Sequence, residues 1–85
     1  MKEEDIQLLI FQLLRRIAPE TEPESLLPEE NIREALNIDS FDALQFIVAL
    51  SEKLKLEIPE EDYGKTANLK SLTAYLKQKL DTLTK

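Results

Sequence analysis

The 85-residue chain contains no cysteine, no histidine and no tryptophan, and glycine occurs once. Without cysteine it can form no disulfide and offers no thiolate nucleophile or ligand, which points to a reducing, cytoplasmic setting. Without histidine it lacks the usual general base and the commonest metal ligand. Ser-His and Cys-His nucleophilic chemistry are therefore excluded, and no metal site is expected. Positive charge is also in deficit, with 17 acids against 11 bases. Such a surface repels nucleic-acid phosphate, so no nucleic-acid partner is expected. No apolar run approaches the ~20 residues of a membrane span, and the Lys2-Glu3-Glu4-Asp5 start is not that of a signal peptide. A chain of this length makes a single domain, residues 1–85, and buries about 60–65 % of its extended-chain surface, enough for one modest core. A small cytoplasmic monomer that is not an enzyme is the expectation.

What is present is helical patterning. Ile6, Leu9, Ile10, Leu13, Leu14 and Ile17 repeat at helical spacing and predict a first helix over Asp5–Ile17, with Leu8 and Phe11 off the stripe. Acids at its start and Arg15 and Arg16 at its end suit the helix dipole. Residues 18–30 hold Pro19, Pro23 and Pro28 and must form a long loop, which Leu26 and Leu27 are expected to anchor to the core. A short turn over Asn31–Asn37 would present Ile32 and Leu36. A second helix is expected from Ser40 to about Lys55, capped by Asp39 with Asp42 in the first turn.

That helix carries Phe41, Ala43, Leu44, Phe46, Ile47, Val48, Ala49, Leu50 and Leu54. Two readings fit its wide apolar arc: a central core helix, or one with part of its face exposed at a contact. Pro59 reads as the first position of a short helix whose first turn is acidic, and Gly64 as its left-handed terminator. The acids Glu60, Glu61 and Asp62 fit a solvated helix start better than a divalent-ion site. Asn68 is the expected cap of a last helix bearing Leu69, Leu72, Leu76, Leu80 and Leu83 on one stripe. No segment has strand periodicity. The fold class is all-α, a four-helix bundle of three longer helices and one short one, with a long loop between helices 1 and 2.

Charge is concentrated in the middle of the chain. Residues 29–62 hold ten acids and three bases, a net −7, whereas the whole chain carries −6. A solvated helix face accounts for such a run, and so does a surface that steers basic partners toward its centre. Near that centre lies Ser40, in the run Asn37-Ile38-Asp39-Ser40-Phe41-Asp42-Ala43-Leu44. A hydroxyl there stands at a helix start, where backbone N–H groups are unpaired and phosphate is tolerated. Ser40 is then either a simple cap residue or a site of modification.

The order of elements resembles an acyl carrier protein over nearly the whole chain. The matching residues are Asp39-Ser40-Phe41-Asp42, Phe46-Ile47-Val48-Ala49-Leu50 and Glu57-Ile58-Pro59-Glu60-Glu61. Asp-Ser-apolar alone is a weak motif, and the Ile-Pro-Glu-Glu run downstream makes it specific. The resemblance implies that a phosphopantetheinyl transferase uses coenzyme A and Mg²⁺ to place 4′-phosphopantetheine on Ser40. Acyl intermediates would travel as thioesters on that arm in fatty acid, polyketide or related biosynthesis. It further implies that Asp39 orients the site, and that Phe41, Leu44 and Val48 make apolar contacts with partner enzymes. Asp42 and Glu52 would meet the basic docking surfaces of acyl-loading and acyl-transferring enzymes.

The chain departs from the family pattern at Asn37, where glycine is common, and at Phe41, where leucine is. Gln45 and Ser51 replace acids usual in fatty-acid-synthesis members, and Thr66 and Thr73 replace apolar residues. These departures point to a specialised carrier. A second reading, from a different class, is a carrier-fold interaction module that bears no prosthetic group and docks a partner through the second helix.

Overall fold

The computed structural model describes residues 2–83, so both ends of the expected 1–85 domain lie outside the described residues. Three helices of fifteen residues dominate: α1 over Glu3–Ile17, α3 over Ser40–Leu54 and α4 over Leu69–Leu83. A short α2 spans Ile32–Leu36, and 3₁₀ turns occupy Pro23–Ser25 and Glu60–Thr66. Among the described residues there is no strand. The all-α bundle expected from periodicity is the observed architecture.

Of the long helices, α1 packs against both α3 and α4. Its buried residues Ile6, Ile10, Leu13 and Leu14 meet Phe46, Ile47 and Leu50 of α3 and Leu69, Leu72 and Leu76 of α4 in one core. The segments before α2 and α4 are stitched together by their backbones. Ile32 N–H donates to the Ala67 carbonyl and Lys70 N–H to that of Pro28, each at 2.9 Å. Each of these helices is capped by asparagine: Asn31 Oδ1 accepts from Glu34 N–H at 3.0 Å, and Asn68 Oδ1 from Ser71 N–H at 2.7 Å. Both Ile32 and Leu36 are buried, as the short turn was expected to place them.

Several expectations need correction. Leu26 is buried but Leu27 is 63 % exposed. Leu26 has extended backbone, and successive side chains on extended backbone leave opposite sides, so only one of the pair can enter the core. Pro59 does not begin an α-helix: it is the extended residue (φ −69°, ψ 153°) preceding a 3₁₀ turn. Gly64 lies inside that turn and has no positive φ. The left-handed residues are Asn37 and Lys55, both at φ 54°, which end α2 and α3. Of the two residues off the first stripe, Phe11 packs partly buried against the core while Leu8 is exposed. On the last stripe, Leu83 at the end of α4 is exposed. Thr66 and Thr73 are buried with satisfied hydroxyls, donating to the carbonyls of Tyr63 at 2.6 Å and Leu69 at 2.7 Å.

Candidate functional site

The site begins with the turn between α2 and α3. Asn37 adopts the left-handed conformation that asparagine tolerates better than most residues. Ile38 N–H then donates to the Arg33 carbonyl at 2.9 Å, and the Ile38 side chain is buried. This anchors the chain immediately before Asp39. The Asp39 carboxylate caps α3, its Oδ1 accepting from Asp42 N–H at 2.8 Å.

Because Asp39 takes the cap, Ser40 does not have to. It is the first residue of α3 and is exposed, and no hydrogen bond among the described residues involves its hydroxyl. The simple-cap reading of Ser40 therefore fails on geometry. A free hydroxyl at the start of a fifteen-residue helix can be esterified without breaking an internal contact, and a phosphate there meets unpaired N–H groups.

The exposed apolar residues of α3 form a line. Phe41 is 66 % exposed, Leu44 45 % and Val48 44 %. At about 3.6 residues per turn, Phe41, Val48 and Glu52 fall within about 40° of rotation, with Leu44 about 60° from Phe41. Leu50 and Phe46, on the opposite side, are buried. The arc is thus divided: one side is core and the other is presented to solvent. Asp42 flanks this line in the first turn and the exposed Glu52 extends it toward the far end of the helix. The structure brings Ser40, Asp39, Phe41 and Asp42 together and sets Glu52 about 15 Å along the axis from Asp42, at about 1.5 Å per residue.

Ser40 also stands on a cleft of about 560 Å³ between α2, α3 and the 3₁₀ turn Glu60–Thr66. One wall is apolar, from Ile32, Ile38, Ala43, Leu44, Phe46 and Ile47. The 3₁₀ turn forms a second wall with Glu60, Tyr63 and Thr66, and Arg33 of α2 also lines the cleft. Sequence reasoning noted Thr66 only as a departure and missed Arg33 and Tyr63. Arg33 directly follows buried Ile32 on a short helix beside the serine turn, and that placement was the available signal.

The 3₁₀ turn that forms this second wall is tied to α4 on its other side. Tyr75 Oη donates to Asp62 Oδ2 at 2.6 Å, and Lys65 Nζ lies 3.5 Å from Asp62 Oδ1. The Tyr75 hydrogen bond, helped by Lys65, holds the Asp62 carboxyl below its usual range. Burial, and then the bond to Asp62, pushes the Tyr75 phenol up. Neither group lines the cleft on which Ser40 stands. No cluster of three or more potential metal ligands occurs among the described residues, and no helix there is long and apolar enough to cross a membrane.

Comparison with known proteins fits this geometry. Residues 9–76 match the family described as phosphopantetheine attachment site. The acyl carrier protein of Helicobacter hepaticus is 34 % identical over 73 residues, covering 86 % of this chain and 90 % of that one. The chain belongs to the acyl carrier protein family. The acyl carrier protein of Helicobacter pylori is 35 % identical over 73 residues (86 % of this chain, 87 % of the relative). That of Phytoplasma mali is 32 % identical over 76 residues (86 % and 90 %). As a member of this family the protein is a carrier rather than a catalyst, and its prosthetic group is a covalently attached 4′-phosphopantetheine. It works with a phosphopantetheinyl transferase and with biosynthetic enzymes. An exposed hydroxyl free of internal bonds, at a helix start and beside a cleft, fits esterification by such a group.

Proposed function

We propose that Ser40 is the attachment residue and that this single-domain, monomeric protein carries acyl intermediates as thioesters between cytoplasmic biosynthetic enzymes. The supporting observation is the division of labour at the start of α3, where Asp39 caps the helix and leaves the Ser40 hydroxyl exposed and unengaged. When bound, the prosthetic group supplies the thiol that the cysteine-free polypeptide lacks. The chain's own residues present and position. Asp39 and the Asn37 turn hold Ser40 outward, and loading replaces the Ser40 O–H by an O–P bond while adenosine 3′,5′-bisphosphate leaves coenzyme A. Phe41, Leu44 and Val48 offer an apolar strip to the partner, and Asp42 and Glu52 attract its basic surface.

Fatty acid, polyketide or related biosynthesis is the pathway class, and the polar wall of the cleft favours a specialised carrier over a housekeeping one. Tethering raises the effective concentration of the cargo at each enzyme. The test is intact-protein mass spectrometry after incubation with coenzyme A, Mg²⁺ and a broad-specificity phosphopantetheinyl transferase. Wild type should gain one phosphopantetheine and Ser40→Ala none. No gain by folded wild type, with a control carrier loaded alongside, would overturn the attachment and leave the exposed strip of α3 as the surface of an interaction module.

A further inference from the structure

Arg33 is the one basic residue lining the cleft that Ser40 shares. Its surroundings are otherwise acidic, with Asp39 and Asp42 at the start of α3 and Glu60 across the cleft. Even so, its guanidinium takes part in no ion pair or side-chain hydrogen bond among the described residues, Glu60 included. Arg15, Lys65, Lys70 and Lys77 are paired with Glu24, Asp62, Glu29 and Asp81, whereas Arg33, like Arg16, Lys53 and Lys55, is in no ion pair among the described residues. Its backbone is held close to the serine. The Arg33 carbonyl accepts from Ile38 N–H at 2.9 Å, and buried Ile32 and Leu36 fix α2 beneath the turn.

A phosphodiester on Ser40 adds a negative charge to a place already crowded with carboxylates. The countercharge available within the cleft is Arg33, whose planar fork matches phosphate oxygens bidentately. We propose that Arg33 is a positioning residue for the arm: its guanidinium takes the phosphodiester on Ser40 and turns the arm along the cleft rather than into solvent. This rests on Ser40 being the attachment residue. Glu60 lines the same cleft, and its charge attracts the guanidinium and repels the phosphodiester, so the clamp is weakened and the arm can be released to a partner enzyme.

The test follows the ³¹P resonance and the Arg33 side-chain Nε–H signal by NMR in the full chain, before and after loading confirmed by mass. In wild type the Nε–H signal should move on loading, and the ³¹P resonance should differ from that of a phosphopantetheinylated serine peptide. Loaded Arg33→Ala should lose the ³¹P difference, Arg33→Lys should keep part of it, and Glu60→Gln should enlarge it. An Arg33 signal unmoved by a confirmed loading overturns the inference while leaving the attachment intact. So does a signal that moves only when the arm carries an adipoyl cargo and not a hexanoyl one, since the anion recognised is then the cargo carboxylate. Absence of any mass gain overturns the attachment and this inference together.

Discussion

Tyr75 and Asp62, thirteen residues apart, are joined by a hydroxyl–carboxylate hydrogen bond of 2.6 Å that fastens the 3₁₀ turn to α4. The opposite side of that turn supplies Tyr63 and Thr66 to the cleft below Ser40. The bond holds the Asp62 carboxyl low, because the Tyr75 hydroxyl is donated to its ionised form. A group depressed in the folded state stabilises above its unfolded pKa and loses that stabilisation as pH falls through the folded value. Wild type should therefore lose Asp62's contribution as pH falls from the ordinary carboxylate range, where the unfolded chain takes up the proton, down to the lower folded value. Tyr75→Phe should lower the urea midpoint at neutral pH and flatten the acid limb, since an Asp62 with its ordinary pKa in both states contributes no pH dependence. Tyr75 itself is raised, first by burial. Its contribution is full below the usual tyrosine pKa and declines as pH rises beyond it. An unchanged acid limb in Tyr75→Phe would show that the bond does not set the carboxyl.

Asp39 and Ser40 should separate cleanly into a structural and a chemical residue. Asp39→Ala removes the acceptor for Asp42 N–H and should cost about 1 kcal/mol. Ser40→Ala removes a hydroxyl that bonds nothing, and should cost at most about 1 kcal/mol while abolishing loading. Chemical denaturation of both variants, with mass spectrometry after transferase treatment, checks the pair. A large loss of stability in Ser40→Ala would make that residue structural.

The two faces of α3 should answer differently to truncation. Phe46→Ala empties a buried position and should cost about 3–5 kcal/mol. Phe41→Ala and Val48→Ala, on the exposed strip, should change stability by only about 0.5 kcal/mol. They should instead raise KM for the carrier as substrate of the transferase. Reversing charge with Asp42→Lys or Glu52→Lys should slow association several-fold at low salt and much less at high salt. Rates independent of salt in both variants would remove the steering role.

What was legible in the sequence is what is local along the chain. The helix period gave only a wide apolar arc, and Phe41, Leu44 and Val48 were singled out by the family resemblance, whereas the Asp39 cap spans three residues and could be read from spacing. The cleft could not, because its walls come from positions between 31 and 67 that meet only after folding. Arg33 and Tyr63 were missed for that reason. The Tyr75–Asp62 bond links a 3₁₀ turn to a helix, and neither residue carries a pattern announcing the other. Leu26 and Leu27 are chemically identical, and only the backbone direction at that turn decides which one is buried. Glycine misled in a related way: composition favours Gly64 for a left-handed position, yet helix-ending geometry put that conformation at Lys55.

That mismatch between residue and conformation can be put to a stability test. Lys55 ends α3 at φ 54°, ψ 46°, where an L side chain is disfavoured and glycine is the usual occupant. Lys55→Gly should therefore stabilise the protein, by about 0.5–1 kcal/mol after the greater freedom of glycine in the unfolded chain is counted. Gly64 is the converse. It has no positive φ, and a Cβ added there meets nothing within 4 Å. Gly64→Ala restricts the unfolded chain without strain in the folded one and should add about 0.4–1 kcal/mol. Denaturant midpoints of the two single variants and the double variant decide the matter. The effects should add, since the sites share no partner. Destabilisation by Gly64→Ala would mean that the folded 3₁₀ turn needs glycine's backbone freedom after all.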